Sequence, residues 1–212
     1  MRNRFDRQLK KLNDELIEMG SMIEASIEKS LVALVTQNAE KGKEVISFDS
    51  EIDRQEREIE SLCMKLLLQQ QPVAKDLRLI SSALKMITDM ERIGDQAADI
   101  AELAIFMSDK PYIKELKHIS QMGQETMVMV VTSVDAFVEK DLEKAKNVLE
   151  HDDIVDHLFD EVKSELIEMI HQNKEVGEQA TDLLMIAKYF ERIGDHATNI
   201  AEWVIYSITG EH

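Results

Sequence analysis

The sequence of 212 residues is poor in residues that interrupt helices, since it has two prolines and seven glycines. Aromatic residues, which favour strands, make up only 5% of the chain, whereas Leu, Ile, Met, Glu and Lys are abundant. Proline breaks helices and glycine weakens them, so this composition favours an all-helical protein over one with a sheet. A chain of this length can bury a substantial core.

Basic residues are also scarce, because 25 Lys and Arg stand against 42 Asp and Glu and give a net charge of -17. Nucleic acid demands a basic face, so the charge argues against a nucleic-acid partner. Anionic lipid attracts Lys and Arg, and it is disfavoured as a partner on the same ground.

Long hydrophobic runs and cysteine pairs are missing as well. The longest apolar stretch, Met127 to Val138, is interrupted by polar residues and falls short of the roughly 20 residues that a membrane span needs. Cys63 is the single cysteine, and Met1-Arg2-Asn3-Arg4 does not lead into the apolar core of a signal peptide. We therefore expect a cytoplasmic protein with no direct membrane insertion, in which any membrane association goes through a partner.

Helical periodicity runs through most of the chain. Apolar residues three and four apart from Leu9 to Leu34 describe one long amphipathic helix. Turn signals at residues 38–42, 69–72, 108–111 and 171–174 divide the rest, and Pro111 suits the first position of a helix. The first predicted helix ends before Asn38. The other five cover about residues 43–70, 75–107, 112–139, 142–171 and 177–208.

The pentapeptide Glu-Arg-Ile-Gly-Asp occurs twice, at residues 91–95 and 191–195. The two halves also match elsewhere, at an offset of 103 residues before the Pro72 turn and of 100 residues after it. A difference of three residues in the length of the loop that holds Pro72 explains why the offset changes. The sequence therefore predicts an all-α protein of six long helices, in two tandem three-helix bundles related by internal duplication, at residues 1–109 and 110–212.

Each pentapeptide belongs to a stripe of acidic or amide side chains on one helix face. The stripe is locally unfavourable, because like charges four residues apart repel and a glycine inside a helix costs about 1 kcal/mol relative to alanine. Small residues beside the stripe would let a neighbouring helix approach closely. We expect a positive group there, either a metal ion or Arg92 and Arg192. The stripes are Glu91, Asp95, Asp99 and Glu102, and Glu191, Asp195, Asn199 and Glu202.

A second set of acids meets each stripe if the helices form antiparallel hairpins. Residues at equal distance from a hairpin turn lie level with each other, and turns at Pro72 and between residues 173 and 174 fix the register. The facing pairs are then Asp49 with Asp95, Asp53 with Glu91, Asp152 with Asp195, and Asp156 with Glu191.

Four or five converging carboxylates form a hard oxygen site, which suits Mg, Mn, Ca or Fe more than zinc. The alternative is structural: the acids are paired with Arg92 or Arg192, or are solvated, and crowding raises some carboxylate pKa values.

Other candidate sites are weaker. Glu168 and His171 make one Glu-x-x-His step of the kind found in di-iron bundles, and with the clustered carboxylates it makes a di-metal oxidase or metal-storage bundle the alternative function. Such bundles need a second Glu-x-x-His step, which is missing, so this alternative is the weaker one. His157 and His196 lie beside acids and are either ligands or hydrogen-bonded surface residues. The sequence has no phosphate loop, nucleophile elbow or His-Glu-x-x-His motif, so we predict no catalytic residue and no enzyme.

Over essentially its whole length the chain resembles the PhoU phosphate-signalling family. The resemblance rests on six helices in two bundles, on the doubled Glu-Arg-Ile-Gly-Asp pentapeptide, and on an acid-x-x-x-acid motif in each predicted helix that faces it. It implies a cytoplasmic accessory protein of the high-affinity phosphate ABC transporter that negatively regulates phosphate uptake and the phosphate-starvation response.

The resemblance also implies partners and metals. Family members are understood to contact the ATP-hydrolysing subunit of the transporter and a sensor histidine kinase, to form homodimers, and to bind multinuclear metal clusters at the motif acids. For this chain we expect divalent or trivalent ions, with Fe, Mn, Mg and Zn all open. Asp99 departs from the asparagine expected at that place, which Asn199 keeps, so the two sites are expected to differ in metal number or affinity. Carried over by position, the metal ligands are Asp49, Asp53, Glu91, Asp95 and Asp99, and Asp152, Asp156, Glu191, Asp195 and Asn199.

Overall fold

A computed structural model describes residues 2–70 and 73–211, and in these residues the chain forms six long α-helices, one short 3-10 helix and no strand. The all-α prediction is confirmed. None of the described helices is long and apolar enough to cross a membrane. The predicted turn at Gln71 and Pro72 lies outside the described residues. The helices are α1 (Arg2–Thr36), α2 (Ala39–Gln70), α3 (Ala74–Phe106), α4 (Lys117–Glu139), α5 (Leu142–Gln172), a 3-10 turn (Lys174–Val176) and α6 (Gly177–Thr209).

Helix α2 begins four residues earlier than predicted. The Asn38 side chain caps it, because Oδ1 accepts a hydrogen bond from the Lys41 N–H at 3.1 Å. Gly42, which the sequence suggested was a loop residue, lies inside α2, where a Cβ would come within 2.7 Å of Ile105 Cγ1. This glycine therefore permits the close approach of α2 to the end of α3.

Helix α4 begins five residues later than predicted, so the expected start at Pro111 and Tyr112 is wrong. Residues 110–116 instead cross the end of the molecule and make tertiary hydrogen bonds. The Tyr112 hydroxyl donates to the Leu34 carbonyl at 2.6 Å, and the Ile113 N–H donates to Gln179 Oε1 at 2.6 Å. These bonds hold the connecting segment against the ends of α1 and α6.

Each half is a three-helix bundle. Helices α1, α2 and α3 pack on one another, as do α4, α5 and α6, while α1 also packs on α4 and α3 on α6. The two halves therefore join through four central helices, with α2 and α5 outside. The core is continuous and mostly aliphatic, and Ile23, Ile93, Phe190 and Ile193 in it are fully buried.

Helices α3 and α6 run antiparallel. Asp89 of α3 is hydrogen-bonded to Asn199 of α6 at 3.1 Å, and the Lys85 ammonium lies 6.0 Å from the ring centroid of Trp203. Further towards the start of α3, Arg78 lies beside Gly210. As the residue number falls along α3 it rises along α6, so the α2–α3 and α5–α6 hairpin ends lie at opposite ends of the molecule.

Candidate metal centre

The first acidic seam lies between α2 and α3 and comprises Asp49, Asp53, Glu91, Asp95 and Asp99. One carboxylate oxygen each of Asp49, Asp53 and Asp95 lies within 4.8 Å of the others. The two aspartates of α2 are one turn apart on the same helix face, and the hairpin brings Asp95 of α3 level with them. Three carboxylates at this spacing are close enough to bind one cation together.

Gly94 makes this approach possible. A Cβ on Gly94 would lie 3.0 Å from Ile52 Cδ1 and 3.3 Å from Asp49 Oδ1. The equivalent glycine, Gly194, faces Asp152 Oδ1 at 3.0 Å in the same way. The glycines of the repeated pentapeptide therefore let the outer helix of each half bring its first aspartate against the central helix.

Crowding shows in the electrostatics of the first seam. Burial, followed by the charges of Asp95, Asp53 and Asp99, raises the pKa of Asp49 from 3.8 to about 6. Burial first, and then the Asp95 charge, also raises the pKa of Glu91. Asp49 Oδ1 is buried without a hydrogen-bond partner among the described residues. Such an atom is unfavourable in water-free surroundings, and a cation bound between the aspartates would satisfy it.

Arg92 lies on the outer side of the same seam. Its Nη1 donates to Asp95 Oδ2 at 2.9 Å, and its Nε lies 3.5 Å from Glu91 Oε2. The structural alternative, in which arginine pairs with the acids, is thus partly realised. Arg92 is exposed and leaves Asp49 without a basic partner, so this arginine compensates only the outer carboxylates.

The second acidic seam lies between α5 and α6 and comprises Asp152, Asp156, Glu191 and Asp195. Burial first, and then the charges of Asp156, Asp195 and Glu191, raises the pKa of Asp152 from 3.8 to about 6. Lys188 donates a hydrogen bond to Glu191 and its charge opposes the rise in the pKa of Asp156. The described residues bring three carboxylates within 4.8 Å only in the first seam.

Asn199 has a partner across the central helices. Its Nδ2 donates to Asp89 Oδ1 at 3.1 Å, and His196 Nδ1 lies 2.8 Å from the same oxygen. His196 thus has the hydrogen bond of a surface histidine, and the assignment of Asn199 as a metal ligand stays a prediction. Its counterpart Asp99 has a pKa raised by burial and by Glu102 and Asp95, and lowered by Arg192 of α6.

Sequence reasoning missed Lys188 and Asp89. Lys188 precedes Glu191 by three residues, so helical spacing alone could have revealed their contact. Asp89 lies outside the repeated motif and meets α6 at a separation of 107 residues from His196. A contact at that distance depends on how the two bundles join, for which the sequence carries no local signal.

The remaining histidine candidates lie outside the seams. Glu168 accepts a hydrogen bond from Gln172 at 2.8 Å, and His171 is exposed. Glu168 follows Asp152 by 16 residues, about 24 Å along α5. His157 is 75% exposed and its Nε2 lies 3.6 Å from Glu161 Oε1. The structure therefore does not bring a Glu-x-x-His pair to either seam.

The chain is similar to known proteins over nearly its full length. The PhoU domain model matches residues 16–104 and again residues 119–204, which confirms the predicted duplication. The phosphate-specific transport system accessory protein PhoU homolog of Clostridium acetobutylicum is 39% identical over 208 residues, or 98% of this chain and 95% of that protein.

Two crystal structures share the fold. PhoU from Pseudomonas aeruginosa superposes with a TM-score of 0.93 at 31% identity, covering 98% of this chain and 100% of that one. The phosphate transport system regulatory protein PhoU from Streptococcus pneumoniae superposes with a TM-score of 0.90 at 28% identity, covering 98% of each chain. The two tandem three-helix bundles are therefore an architecture that the relatives share.

Proposed function

Because this chain belongs to the PhoU family, we propose that it is an accessory protein of a phosphate-specific transport system. The Clostridium relative is such an accessory protein, and the Streptococcus relative is a phosphate transport system regulatory protein. We further propose that it represses phosphate uptake and the phosphate-starvation response, and that it acts by docking rather than by catalysis.

The first seam carries the proposal that docking depends on a metal ion. Three carboxylates converge there, and the buried oxygen of Asp49 lacks a hydrogen-bond partner among the described residues. An oxygen donor set of this kind suits Mn, Fe or Mg before Zn. The proposed ligands are Asp49, Asp53, Glu91, Asp95 and Asp99, with Asp152, Asp156, Glu191, Asp195 and Asn199 in the other half. We propose that each half binds more than one ion.

A bound cation supplies positive charge to the seam and coordination positions that a partner's acidic side chain can complete. Without it, the crowded carboxylates repel an acidic partner surface. Arg92 binds Glu91 and Asp95, and Lys188 binds Glu191, so the aspartates of α2 and α5 are left to the ion. The proposed partners are the ATP-hydrolysing subunit of the transporter, a sensor histidine kinase and a second copy of this chain, met at the inner face of the membrane.

Metal content tests the site. We expect protein purified without a histidine tag to contain at least about one transition-metal ion in each half by elemental analysis, because acidic side chains of the outer and central helices face each other in both seams. The double variant Glu91→Ala, Glu191→Ala should lose it, whereas the control Glu58→Ala, Glu150→Ala, which removes two exposed acids of α2 and α5, should keep it. Equal metal content in all three proteins would place the ions elsewhere.

Phosphate uptake in cells tests the function. In a strain whose own gene carries Asp95→Ala and Asp195→Ala, uptake should remain high when phosphate is plentiful, because the docking seams are incomplete. The Glu58→Ala, Glu150→Ala strain should repress uptake normally. Normal repression in the Asp95→Ala, Asp195→Ala strain would reject a role of the seams in regulation.

A further inference from the structure

The two hairpin ends have diverged in charge since the duplication. We call residues 64–68 and 73–78 the first tip, and their equivalents, residues 167–171 and 173–178, the second tip. Each basic residue of the first tip has a glutamate at the equivalent place in the second, in the pairs Lys65 and Glu168, Lys75 and Glu175, and Arg78 and Glu178. The first tip has one acid, Asp76, and the second one base, Lys174. The tips therefore carry opposite charge.

The tips differ in exposed apolar surface as well. In the first tip the exposed fractions are 78% for Leu68, 67% for Val73, 48% for Leu77 and 45% for Met64. Polar residues or glycine replace three of these four in the second tip, where the equivalents are His171, Asn173, Gly177 and Ile167. Single exposed hydrophobic residues are normal, but four of them at one helical hairpin end are a concentration of apolar side chains that calls for an explanation.

Basic side chains continue from the first tip along the neighbouring helices. A shallow surface pocket of about 320 Å³ between α1 and α2 is lined by Lys11, Arg54, Arg57 and Lys65, together with Glu58. Arg54 is paired with Glu51 at 2.5 Å and Lys11 with Glu15 at 3.5 Å, so Arg57 and Lys65 contribute most of the positive field of the pocket. The net charge of -17 thus conceals a basic end on an acidic protein.

We propose that the first tip docks onto an anionic phospholipid surface. Leu68, Val73 and Leu77 enter the headgroup region while Lys65 and Lys75 contact lipid phosphates, the combination by which proteins bind a membrane surface without spanning it. The charge of the tip is complementary to such a surface.

The opposite end of the molecule cannot dock in this way. Phe106 is 61% exposed and Ile167 47% exposed there, but Glu178 and Asp182 outnumber the single base, Lys110, in the surface pocket beside Phe106. An anionic surface repels this end. The first seam is also separate from the first tip, because Lys65 follows Asp53, the nearer seam acid of α2, by 12 residues, about 18 Å along the helix.

Co-sedimentation of the full chain with lipid vesicles tests the proposal. We expect binding to vesicles of phosphatidylcholine with phosphatidylglycerol and little binding to phosphatidylcholine alone, and salt should weaken it. Lys65→Glu, Lys75→Glu should lower the bound fraction by at least about tenfold, because each lysine near an anionic surface strengthens binding and each glutamate in its place is repelled. Leu68→Ser, Leu77→Ser should lower it while charge is unchanged. All four positions are exposed, and thermal melting checks that the variants fold.

The matched control is Lys163→Glu, Lys174→Glu, which changes the net charge equally but lies in α5 and the second tip. It should bind like the parent chain. Equal loss in this control would mean that only net charge matters, and failure of the parent chain to bind anionic vesicles would overturn the proposal in favour of an acidic protein as occupant. Pure vesicles contain no transporter, so the result is independent of phosphate regulation.

Discussion

The two acidic seams share their acids but differ in the cations around them. Lys188 binds Glu191 in the second seam, whereas threonine occupies the equivalent position 88 in the first. The second seam is also more open, since Asp156 and Asp195 are exposed and their counterparts Asp53 and Asp95 are half-buried. The same five-residue motif therefore produces two different electrostatic sites. Arg92 of the motif binds the acids of the first seam, whereas Lys188, which lies outside the motif, binds Glu191 in the second.

Replacing the glycine between the two helices of a seam should have the largest effect, which is on the stability of each half. A leucine in place of Gly94 must displace Ile52 and Asp49, because a Cβ alone would lie 3.0 Å from Ile52 Cδ1. We expect the free energy of unfolding in urea to fall by about 1 to 3 kcal/mol. Gly194→Leu should do the same through Asp152. Gly177→Ala is the control, because its Cβ meets nothing within 4 Å; a comparable loss there would contradict the packing argument.

Removing the inner aspartate should separate the two seams by affinity. Asp49→Asn keeps the size of the side chain but removes the charge from the closest group of three carboxylates, so metal affinity should fall by about tenfold or more. Asp152→Asn acts on the seam where Lys188 already competes, so its effect should be smaller. Isothermal titration with Mn measures both, and a larger loss for Asp152→Asn would reverse the ranking.

Exchanging lysine and threonine between positions 188 and 88 should make the metal affinity of each seam more like that of the other. Lys188→Thr removes the charge beside Glu191 and should raise metal affinity in the second seam by about two- to fivefold, a modest change because the lysine is partly exposed. Thr88→Lys should lower affinity in the first seam by a similar factor. Thr181→Lys, which adds a lysine at an exposed position elsewhere on α6, is the control for a general charge effect. If that control matches Thr88→Lys, the local contact is irrelevant.

The smallest expected effect is the pH dependence of the metal-free protein. The pKa of Asp49 and that of Asp152 rise from 3.8 to about 6 on folding. Between these values the folded state binds more protons than the unfolded state, so the free energy of unfolding decreases as pH rises. Solvent screening keeps this loss below about 1 kcal/mol for each group. Asp49→Asn, Asp152→Asn should flatten the slope in urea denaturation, and an unchanged slope would assign it to other acids.

The parts of this structure that the sequence predicts depend on local or repeated patterns. Periodicity predicts the helices, and the positions of the two turns predict that Asp49 meets Asp95, which the structure confirms. The late start of α4 could not be predicted in this way, because Tyr112 bonds to Leu34 across 78 residues. The pairing of Asn199 with Asp89 escapes prediction for the same reason, since it depends on the antiparallel contact of α3 and α6.

The antiparallel arrangement of α3 and α6 also separates the unlike charges of the two hairpin ends along the molecule. It sets the hairpin with Lys65, Lys75 and Arg78 at one extremity and the hairpin with Glu168, Glu175 and Glu178 at the other. A charged surface attracts one of these hairpin ends and repels the other, which favours one orientation of the protein on approach. Encounters with an anionic surface would thus begin with the long axis upright and leave both seams on the flanks accessible from the side.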